Sequence, residues 1–266
     1  MYETTYHRPS SVDEAAKLFA KGTEAKYLAG GHTLIPVMKQ RLAAPSDVID
    51  LARIKDLVGI EASADTLTIK AATTYFDIMH SADVKKSIPA IAHLTSILGD
   101  PAVRHRGTIG GSIANNDPAA DYPAAVLALG ATIKTDKRSI AAEDFFKGLF
   151  TTALADGEII TQVSFPIPAK AAYAKMRHPA SRFALTGVFV VKTRAGDVRV
   201  AATGASQDGV MRVPAIEAAL KANWSPGALD SVKISADGLL TDIHGSSVYR
   251  ANLIKVMAQR AVAEAG

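Results

Sequence analysis

Two glycine-paired segments constrain the fold of this chain more than any other feature. The first, Ala29-Gly30-Gly31-His32-Thr33-Leu34, follows an apolar run at residues 26–28 that predicts a strand, and it precedes Pro36, a residue favoured in the first turn of a helix. Glycine lets the backbone approach a ligand closely, and consecutive N–H groups before a helix form an anion site. The second segment, Thr108-Ile109-Gly110-Gly111-Ser112, adds two hydroxyl side chains. Together they predict one long ligand with a phosphate-bearing middle.

Neither segment matches a known phosphate-binding fingerprint. No G-x-G-x-x-G motif follows a strand and no G-x-x-x-x-G-K-[ST] motif occurs, which disfavours both a Rossmann site and a P-loop. A single Gly-Gly pair is more often a tight turn than a ligand cradle. A site built from both segments therefore requires another fold.

The residues around the glycines carry a family resemblance. The stretch 29–42 (AGGHTLIPVMKQRL) resembles the first signature of the FAD-binding medium subunits of molybdenum hydroxylases, the family of the carbon monoxide dehydrogenase medium chain and the xanthine dehydrogenase flavin domain. The stretch 106–123 (RGTIGGSIANNDPAADYP) resembles the second signature. The likeness continues to the C-terminus, where residues 247–252 open a last helix as in the family. Because two long motifs occur in order and at the family spacing, the resemblance is specific and covers essentially the whole chain.

The resemblance implies an α+β fold with a two-part FAD-binding domain of the PCMH/VAO type. That domain combines a small parallel α/β unit with an antiparallel sheet and helices, and a C-terminal antiparallel sheet with helices follows it. We place the N-terminal α/β subdomain at residues 1–54, the second FAD subdomain at 55–170 and the C-terminal α+β domain at 171–266. The proline-bounded stretch Pro166-Ile167-Pro168 marks the second boundary.

Local patterns predict secondary structure in the same order. Ser11-Val12-Asp13-Glu14 resembles a capping box before a helix at 15–20. Apolar periodicity predicts strands at 48–51, 66–70, 131–135, 158–165, 183–192 and 198–204, and helices at 36–42, 124–129, 214–220 and 248–265, with two more between 75 and 98. The strands at 183–192 and 198–204 form an antiparallel pair that turns at Ala195-Gly196-Asp197.

The resemblance also implies which residues contact FAD, bound noncovalently. The backbone N–H groups of residues 30–33 and the Thr33 hydroxyl would bind the pyrophosphate, and residues 108–112 would approach the ribityl and pyrophosphate region from the other side. Asp121 matches a position that hydrogen-bonds the flavin. The full expected set is Ala29, Gly30, Gly31, His32, Thr33, Leu34, Leu98, Thr108, Ile109, Gly110, Gly111, Ser112, Asp121, Ile160, Lys175 and Phe183.

Several of these residues have ordinary alternatives. Lys175 matches a family lysine at the isoalloxazine, where a cation would raise the reduction potential, but a lysine is also commonly a solvated surface charge. Phe183 matches an aromatic residue against one flavin face, or it packs in the core. His32 contacts phosphate or is solvated. Asp117 and Asp121 are four residues apart, as in a catalytic pair, but Asp117-Pro118 favours a turn or a helix cap, and we assign no catalytic residue.

Composition narrows the function classes. With no cysteine, the chain cannot ligate an iron–sulfur cluster, hold a Cys-based zinc ion or form a disulfide. Its seven histidines include no H-x-x-x-H pair, and we expect no metal site. The formal net charge of +4 is dispersed and argues only weakly for nucleic acid. We interpret the one basic group, Arg104-His105-Arg106, as support for an anionic ligand beside the second glycine segment.

The resemblance implies an FAD-binding electron-transfer subunit with the substrate site on another chain. Molybdopterin on a large subunit and [2Fe-2S] clusters on a small subunit would deliver electrons to FAD for an external acceptor, in a dimer of heterotrimers. No run approaches the about 18 apolar residues of a membrane helix, and no signal-peptide pattern is present, so we expect a cytoplasmic protein. A stand-alone flavin oxidoreductase of the same fold remains an alternative, as does a non-enzymatic nucleotide- or nucleic-acid-binding module.

Overall fold

The computed structural model describes all 266 residues and is built from three larger sheets, a fourth sheet of two short strands, and their helices. The strands are β1 Thr5–His7, β2 Lys26–Leu28, β3 Asp47–Asp50, β4 Ile60–Ala62, β5 Thr66–Lys70, β6 Thr132–Thr135, β7 Ser139–Ala141, β8 Phe146–Gly148, β9 Thr151–Thr152, β10 Ile160–Pro166, β11 Lys170–Arg177, β12 Ala184–Lys192, β13 Val198–Ser206 and β14 Gly209–Arg212. The helices are α1 Val12–Phe19, α2 Leu34–Lys39, α3 Tyr75–His80, α4 Ala82–Ser87, α5 Pro89–Ser96, α6 Pro101–Arg104, α7 Ile109–Asn115, α8 Tyr122–Ala128, α9 Ala142–Phe145, α10 Pro214–Ala222 and α11 Ser247–Ala265, with short 3-10 turns at Lys55–Leu57 and Pro226–Leu229.

The three larger sheets follow one another along the chain, and β8 and β9 form the two-stranded sheet between β7 and β10. The first is parallel and has the strand order β1-β3-β2. The second is antiparallel, with the order β4-β5-β10-β6-β7, and the third is antiparallel, with the order β11-β12-β13-β14. A small parallel unit followed by antiparallel sheets confirms the expected α+β fold.

Helices α6 and α9 were not predicted, and the helices depart from the sequence expectations in two further places. Three helices, not two, occupy residues 75–96. The Ser81 hydroxyl caps the N-terminus of α4, and Pro89 is the first residue of α5, where proline is favoured. The second glycine segment is not a loop. Thr108 is the N-cap of α7, and its hydroxyl accepts a hydrogen bond from the Gly111 N–H at 3.1 Å. Gly110 and Gly111 therefore lie in the first turn of a helix.

The third sheet separates two cores. Along β11 and β12, Tyr173 and Phe189 face a core of 32 buried residues that also includes α8 and the second sheet. Ala172 and Ala174 point the other way, into a core of 19 residues beneath α10 and α11. This alternation has period 2, as a strand requires, so Lys175 is on the same face as Tyr173. None of the helices combines the length and the apolar character required to cross a membrane.

Candidate functional site

A cleft of about 1170 Å³ runs between the first glycine segment, the N-terminal turn of α7 and strand β11. Fifteen of the sixteen expected site residues line it. The exception is Ile109, whose side chain is fully buried in the larger core. Residues that are 154 positions apart, from Ala29 to Phe183, thus meet around one space.

The first glycine segment presents a row of unused hydrogen-bond donors to this cleft. The backbone N–H groups of residues 29–34 donate to no acceptor in the chain. Gly31 has a φ of 76°, a left-handed conformation that glycine adopts without strain and that turns the chain between β2 and α2. Thr33 precedes α2 without a side-chain capping bond. Because backbone N–H groups normally find partners, six consecutive free donors indicate a site for an anionic ligand.

The second glycine segment offers hydroxyl groups to the cleft, and the backbone donors of residues 109–112 are not free. The N–H groups of residues 109–112 are already used: that of Gly110 donates to the Ala71 carbonyl at 2.9 Å, and that of Ser112 donates to the Thr108 carbonyl at 3.0 Å. What this side of the cleft offers is the hydroxyl groups of Thr108 and Ser112, both of which line it.

Packing within the protein also explains why some of these positions are glycine, which the sequence did not reveal. A Cβ at Gly30 would lie 2.3 Å from the Arg106 carbonyl oxygen, and one at Gly110 would lie 2.6 Å from the Ala71 Cβ. These two glycines are therefore required by protein packing, and their expected role beside the ligand stays a prediction. Gly111 is less constrained, since its Cβ would lie 3.0 Å from the Thr108 hydroxyl and 3.4 Å from the Ala29 Cβ. The two glycine segments pack directly on each other, which brings both to one cleft.

A buried ion pair lies in the wall of the cleft. The Lys175 ammonium is 2.8 Å from Asp121 Oδ1, and the two side chains are 1% and 2% exposed. The Tyr173 hydroxyl donates to the same oxygen at 2.5 Å. Burial raises the pKa of Asp121, while Lys175 and Tyr173 oppose that rise by stabilising the carboxylate. Burial also raises the pKa of Tyr173, so its hydroxyl stays a donor. Since the Lys175 side chain is buried, the alternative that Lys175 is a solvated surface charge is excluded.

Apolar side chains line the cleft as well. Ile160 at the start of β10 is buried, Leu98 is half-buried and Phe183 is 52% exposed. The exposed Phe183 is therefore not a core residue. It follows a tight turn in which the His178 N–H donates to the Phe183 carbonyl at 2.8 Å and Arg182 has a φ of 62°.

The remaining predictions about polar residues near the cleft have different outcomes. Asp117 accepts a hydrogen bond from the Ala119 N–H at 2.8 Å and forms the expected turn. The interpretation of Arg104-His105-Arg106 as an anion site is wrong, because none of these residues lines the cleft. The Arg104 guanidinium instead donates to the Leu98 carbonyl at 2.8 Å, and His105 stacks on Phe76. His32 lies exposed at the cleft, and its two alternatives stay open.

Sequence reasoning missed two groups that support the cleft. Tyr173 was not proposed, although its position two residues before Lys175 on one strand places both on the same face. Glu158 also lines the cleft, with its carboxylate held by Arg138 at 3.0 Å and by the Thr135 hydroxyl at 2.7 Å. No local pattern marks Glu158, because its partners come from other elements.

Free N–H donors, apolar side chains and a buried ion pair around one cleft fit a long cofactor with a phosphate group and a ring system. Residues 2–168 match the family described as FAD binding domain in molybdopterin dehydrogenase. The chain belongs to this family.

Relatives of known function extend the match over the whole chain. The carbon monoxide dehydrogenase medium chain of Afipia carboxidovorans is 34% identical, over 98% of this chain and 96% of the relative. The nicotine 6-hydroxylase medium subunit of Paenarthrobacter nicotinovorans is 35% identical, over 98% and 96%. The glyceraldehyde dehydrogenase medium chain of Sulfolobus acidocaldarius is 35% identical, over 98% of both chains.

Solved structures show the same architecture. A chain of a Cu,Mo-CO dehydrogenase superposes with a TM-score of 0.90 at 32% identity, covering 100% of this chain and 98% of the other. A chain of quinoline 2-oxidoreductase from Pseudomonas putida 86 gives a TM-score of 0.87 at 29% identity, covering 99% and 96%. The resemblance inferred from the two glycine motifs is confirmed, and with it FAD as the cofactor and the class of flavoprotein oxidoreductase subunit.

Proposed function

We propose that this chain holds FAD noncovalently in the cleft and passes electrons from the iron–sulfur clusters of a partner subunit to an external acceptor. The observation that carries the proposal is the row of six free N–H groups at residues 29–34, which lie in the wall of a cleft that Leu98, Ile160 and Phe183 also line. Bound FAD would supply the redox chemistry, and the protein would supply binding, orientation and electrostatics.

The residues present fit the parts of FAD. The free N–H groups of residues 29–34 suit the pyrophosphate, and the hydroxyls of Thr108 and Ser112 suit the adjacent ribityl chain. The pair Asp121–Lys175 offers an acceptor and a cation to the polar edge of the ring. Leu98, Ile160 and Phe183 offer apolar surface to its faces.

The partners follow from what this chain lacks and from the names of its relatives. The sequence contains no cysteine, so iron–sulfur clusters must be ligated elsewhere. The relatives are medium chains or medium subunits, which places them in multi-subunit enzymes. We infer a small iron–sulfur subunit and a large molybdopterin subunit, assembled as a dimer of heterotrimers. A cytoplasmic location stays a prediction.

The division into three domains also stays a prediction. The first and second sheets fall within 1–54 and 55–170, and the third falls within 171–266 except for its first residue, Lys170, which supports the division. The larger core contains residues of both the second and the third range, so these two parts are packed against each other.

A stand-alone flavin oxidoreductase would need its own acid or base in the cleft. Asp121 is engaged by Lys175 and Tyr173, and Glu158 is engaged by Arg138 and Thr135. Both carboxylates are paired with a cation of the chain, Asp121 with Lys175 and Glu158 with Arg138, and so serve as fixed charges. This favours the subunit function over the stand-alone alternative.

The test is the flavin content and the reactivity of the purified full-length chain. We expect about one FAD per chain, released by denaturation because the link is noncovalent, and bleaching of the bound flavin by dithionite. We expect no oxidation of a carbon substrate, because that site would lie on another subunit. A colourless protein after incubation with FAD, or turnover of a carbon substrate by this chain alone, would contradict the proposal.

A further inference from the structure

We propose that Tyr173 is a positioning residue that fixes the Asp121 carboxylate with one oxygen turned toward the cleft, and that Gly187 is required to admit the Tyr173 hydroxyl. This inference rests on the proposed function, because the group that would meet Asp121 is the FAD ring or its ribityl chain. It adds a residue that does not line the cleft, and so does not touch the cofactor, to the machinery that binds it.

The two oxygens of Asp121 have different surroundings. Tyr173 donates to Oδ1 at 2.5 Å, and Lys175 lies 2.8 Å from the same atom. No group of the chain donates a hydrogen bond to Oδ2. The fully buried side-chain nitrogen and oxygen atoms without a partner are Trp224 Nε1 and Arg250 Nε. Oδ2 is not among them, so the 2% of the Asp121 side chain that stays exposed includes Oδ2, and Asp121 lines the cleft. An acceptor held in this way is matched to a donor on the ligand.

The neighbouring strand is shaped around the Tyr173 hydroxyl. Gly187 pairs with Lys175 across β11 and β12, and a Cβ at Gly187 would lie 2.2 Å from the Tyr173 hydroxyl oxygen. The same Cβ would lie 3.1 Å from Thr203 Cγ2, so the space is closed on its far side as well. A side chain at this position would displace the hydroxyl from Asp121.

The second anchor of Asp121 is the turn before it. The Thr203 hydroxyl donates to the carbonyls of Pro118 and Ala120 at 3.0 and 2.7 Å, and the Gly204 N–H donates to the Pro118 carbonyl at 2.8 Å. Strand β13 therefore fixes the backbone that carries Asp121, and β11 fixes its side chain. Strands β11 and β13 both belong to the third sheet, so one sheet holds the backbone and the side chain of Asp121 in place.

The hydroxyl of Tyr173 acts on the charge of Asp121 as well as on its direction. Its hydrogen bond lowers the pKa of this buried carboxyl, as do Lys175 and Arg177, against the rise caused by burial. The other titratable groups around Asp121 are Tyr75 from α3 and Tyr122 from α8, whose own pKa values are raised. Without the Tyr173 hydroxyl, Asp121 takes up a proton at a higher pH and ceases to be a pure acceptor.

The test compares Tyr173→Phe with Tyr122→Phe in the deflavinated full-length chain. Tyr122 is a matched control: it is buried in the same core, and its hydroxyl bonds Thr95 at 2.7 Å instead of Asp121. We measure the dissociation constant of FAD from pH 5 to pH 8 and the unfolding of the apoprotein by urea. We expect both variants to lose stability, but only Tyr173→Phe to bind FAD more weakly, by roughly tenfold, the loss that one hydrogen bond to a charged group produces.

The pH profile separates positioning from ordinary core packing. In Tyr173→Phe, the loss of FAD affinity on acidification moves to a higher pH, whereas in Tyr122→Phe it stays where the parent has it. Gly187→Ala is a second route to the same change, since its φ is not in the left-handed region and its Cβ displaces the hydroxyl.

The inference would be overturned if Tyr173→Phe had the same FAD affinity and the same pH profile as the parent. If Tyr173→Phe does not fold, an FAD affinity and pH profile of Gly187→Ala equal to those of the parent would overturn it instead. These outcomes leave the proposed function standing. Failure of the parent chain to bind FAD contradicts the proposed function instead.

Discussion

Gly30→Ala should separate the two glycine segments and thereby weaken both the fold and the cofactor site. In the native structure Gly30 lies against the backbone of Arg106 and Gly107, with no side chain between them. The added Cβ would lie 2.3 Å from the Arg106 carbonyl oxygen and 2.9 Å from Gly107 Cα. Both atoms belong to the main chain, so no side chain can rotate away to relieve the contact.

The size of the effect follows from the distance. Real Cβ atoms essentially never approach closer than 3.0 Å, so a contact at 2.3 Å requires the segments to move apart by about 0.7 Å. Overpacking of this kind costs about 1–3 kcal/mol, and a backbone obstacle favours the upper half of that range. We expect a loss of about 2–3 kcal/mol in the free energy of unfolding.

The assay is urea unfolding of the apoprotein together with FAD titration, with Gly111→Ala as the control. Gly111 is the matched position on the other segment, and its Cβ would meet nothing closer than the Thr108 hydroxyl at 3.0 Å. Gly111→Ala should therefore lose less than about 1 kcal/mol. Equal stability and equal FAD affinity for the two variants would refute the view that the segments are held in register by backbone contact at Gly30.

Three further changes test other parts of the site. Glu158→Gln should lower the free energy of unfolding by about 2 kcal/mol above pH 4.5. The reason is that the half-exposed Arg138 and its neighbours lower the pKa of Glu158 from 4.5 to about 2, and a pKa difference of this size is worth at most ~3 kcal/mol. The gap between parent and variant should close as the pH falls through 4.5 toward about 2, and a gap independent of pH would exclude this origin. Lys175→Met should lower the midpoint potential of the bound flavin by about 20 mV with most FAD retained, since Asp121 offsets much of the lysine charge; a redox titration that overlays the parent would show that Lys175 does not influence the flavin. Phe183→Ala should change the visible flavin spectrum without loss of stability, because the ring is 52% exposed, and an unchanged spectrum would place Phe183 away from the flavin.

The sequence was sufficient for the class of fold and for the location of the cleft. Strand and helix patterns predicted β10, β12, β13 and α11 to within a few residues but not β11 or α7, and the two glycine segments do meet at one cleft. These features are encoded locally, by alternation in strands and by runs of small residues near helix starts.

The reason for the glycines could not be predicted from the sequence. Whether Gly30 faces a ligand or the Arg106 carbonyl depends on the approach of a segment that is 76 residues away along the chain. The same is true of Gly110 and Ala71. For this reason Gly31→Val or Gly110→Val, which the loops alone would suggest as tests of cofactor binding, would disturb packing first: at Gly31 the φ of 76° is also unfavourable for a side chain.

The partners of charged residues were harder to predict from the sequence than the packing of the glycines. Lys175 and Asp121 are 54 positions apart, and no local pattern pairs them, although a lysine on the core-facing side of a strand is itself a signal of a special role. Arg104 gave a misleading signal, because its guanidinium is used by the carbonyls of Leu98 and Gly99. Pairing of charges is a property of the assembled fold.

Amide hydrogen exchange with and without FAD tests the central claim most directly. The N–H groups of residues 29–34 have no acceptor in the chain, so in the apoprotein they should exchange rapidly, and FAD should protect them. The N–H groups of residues 109–112 are an internal control, since they are already bonded and should change little. Protection of residues 29–34 by FAD is the predicted result, and rapid exchange of these amides in the FAD-saturated protein would contradict the account.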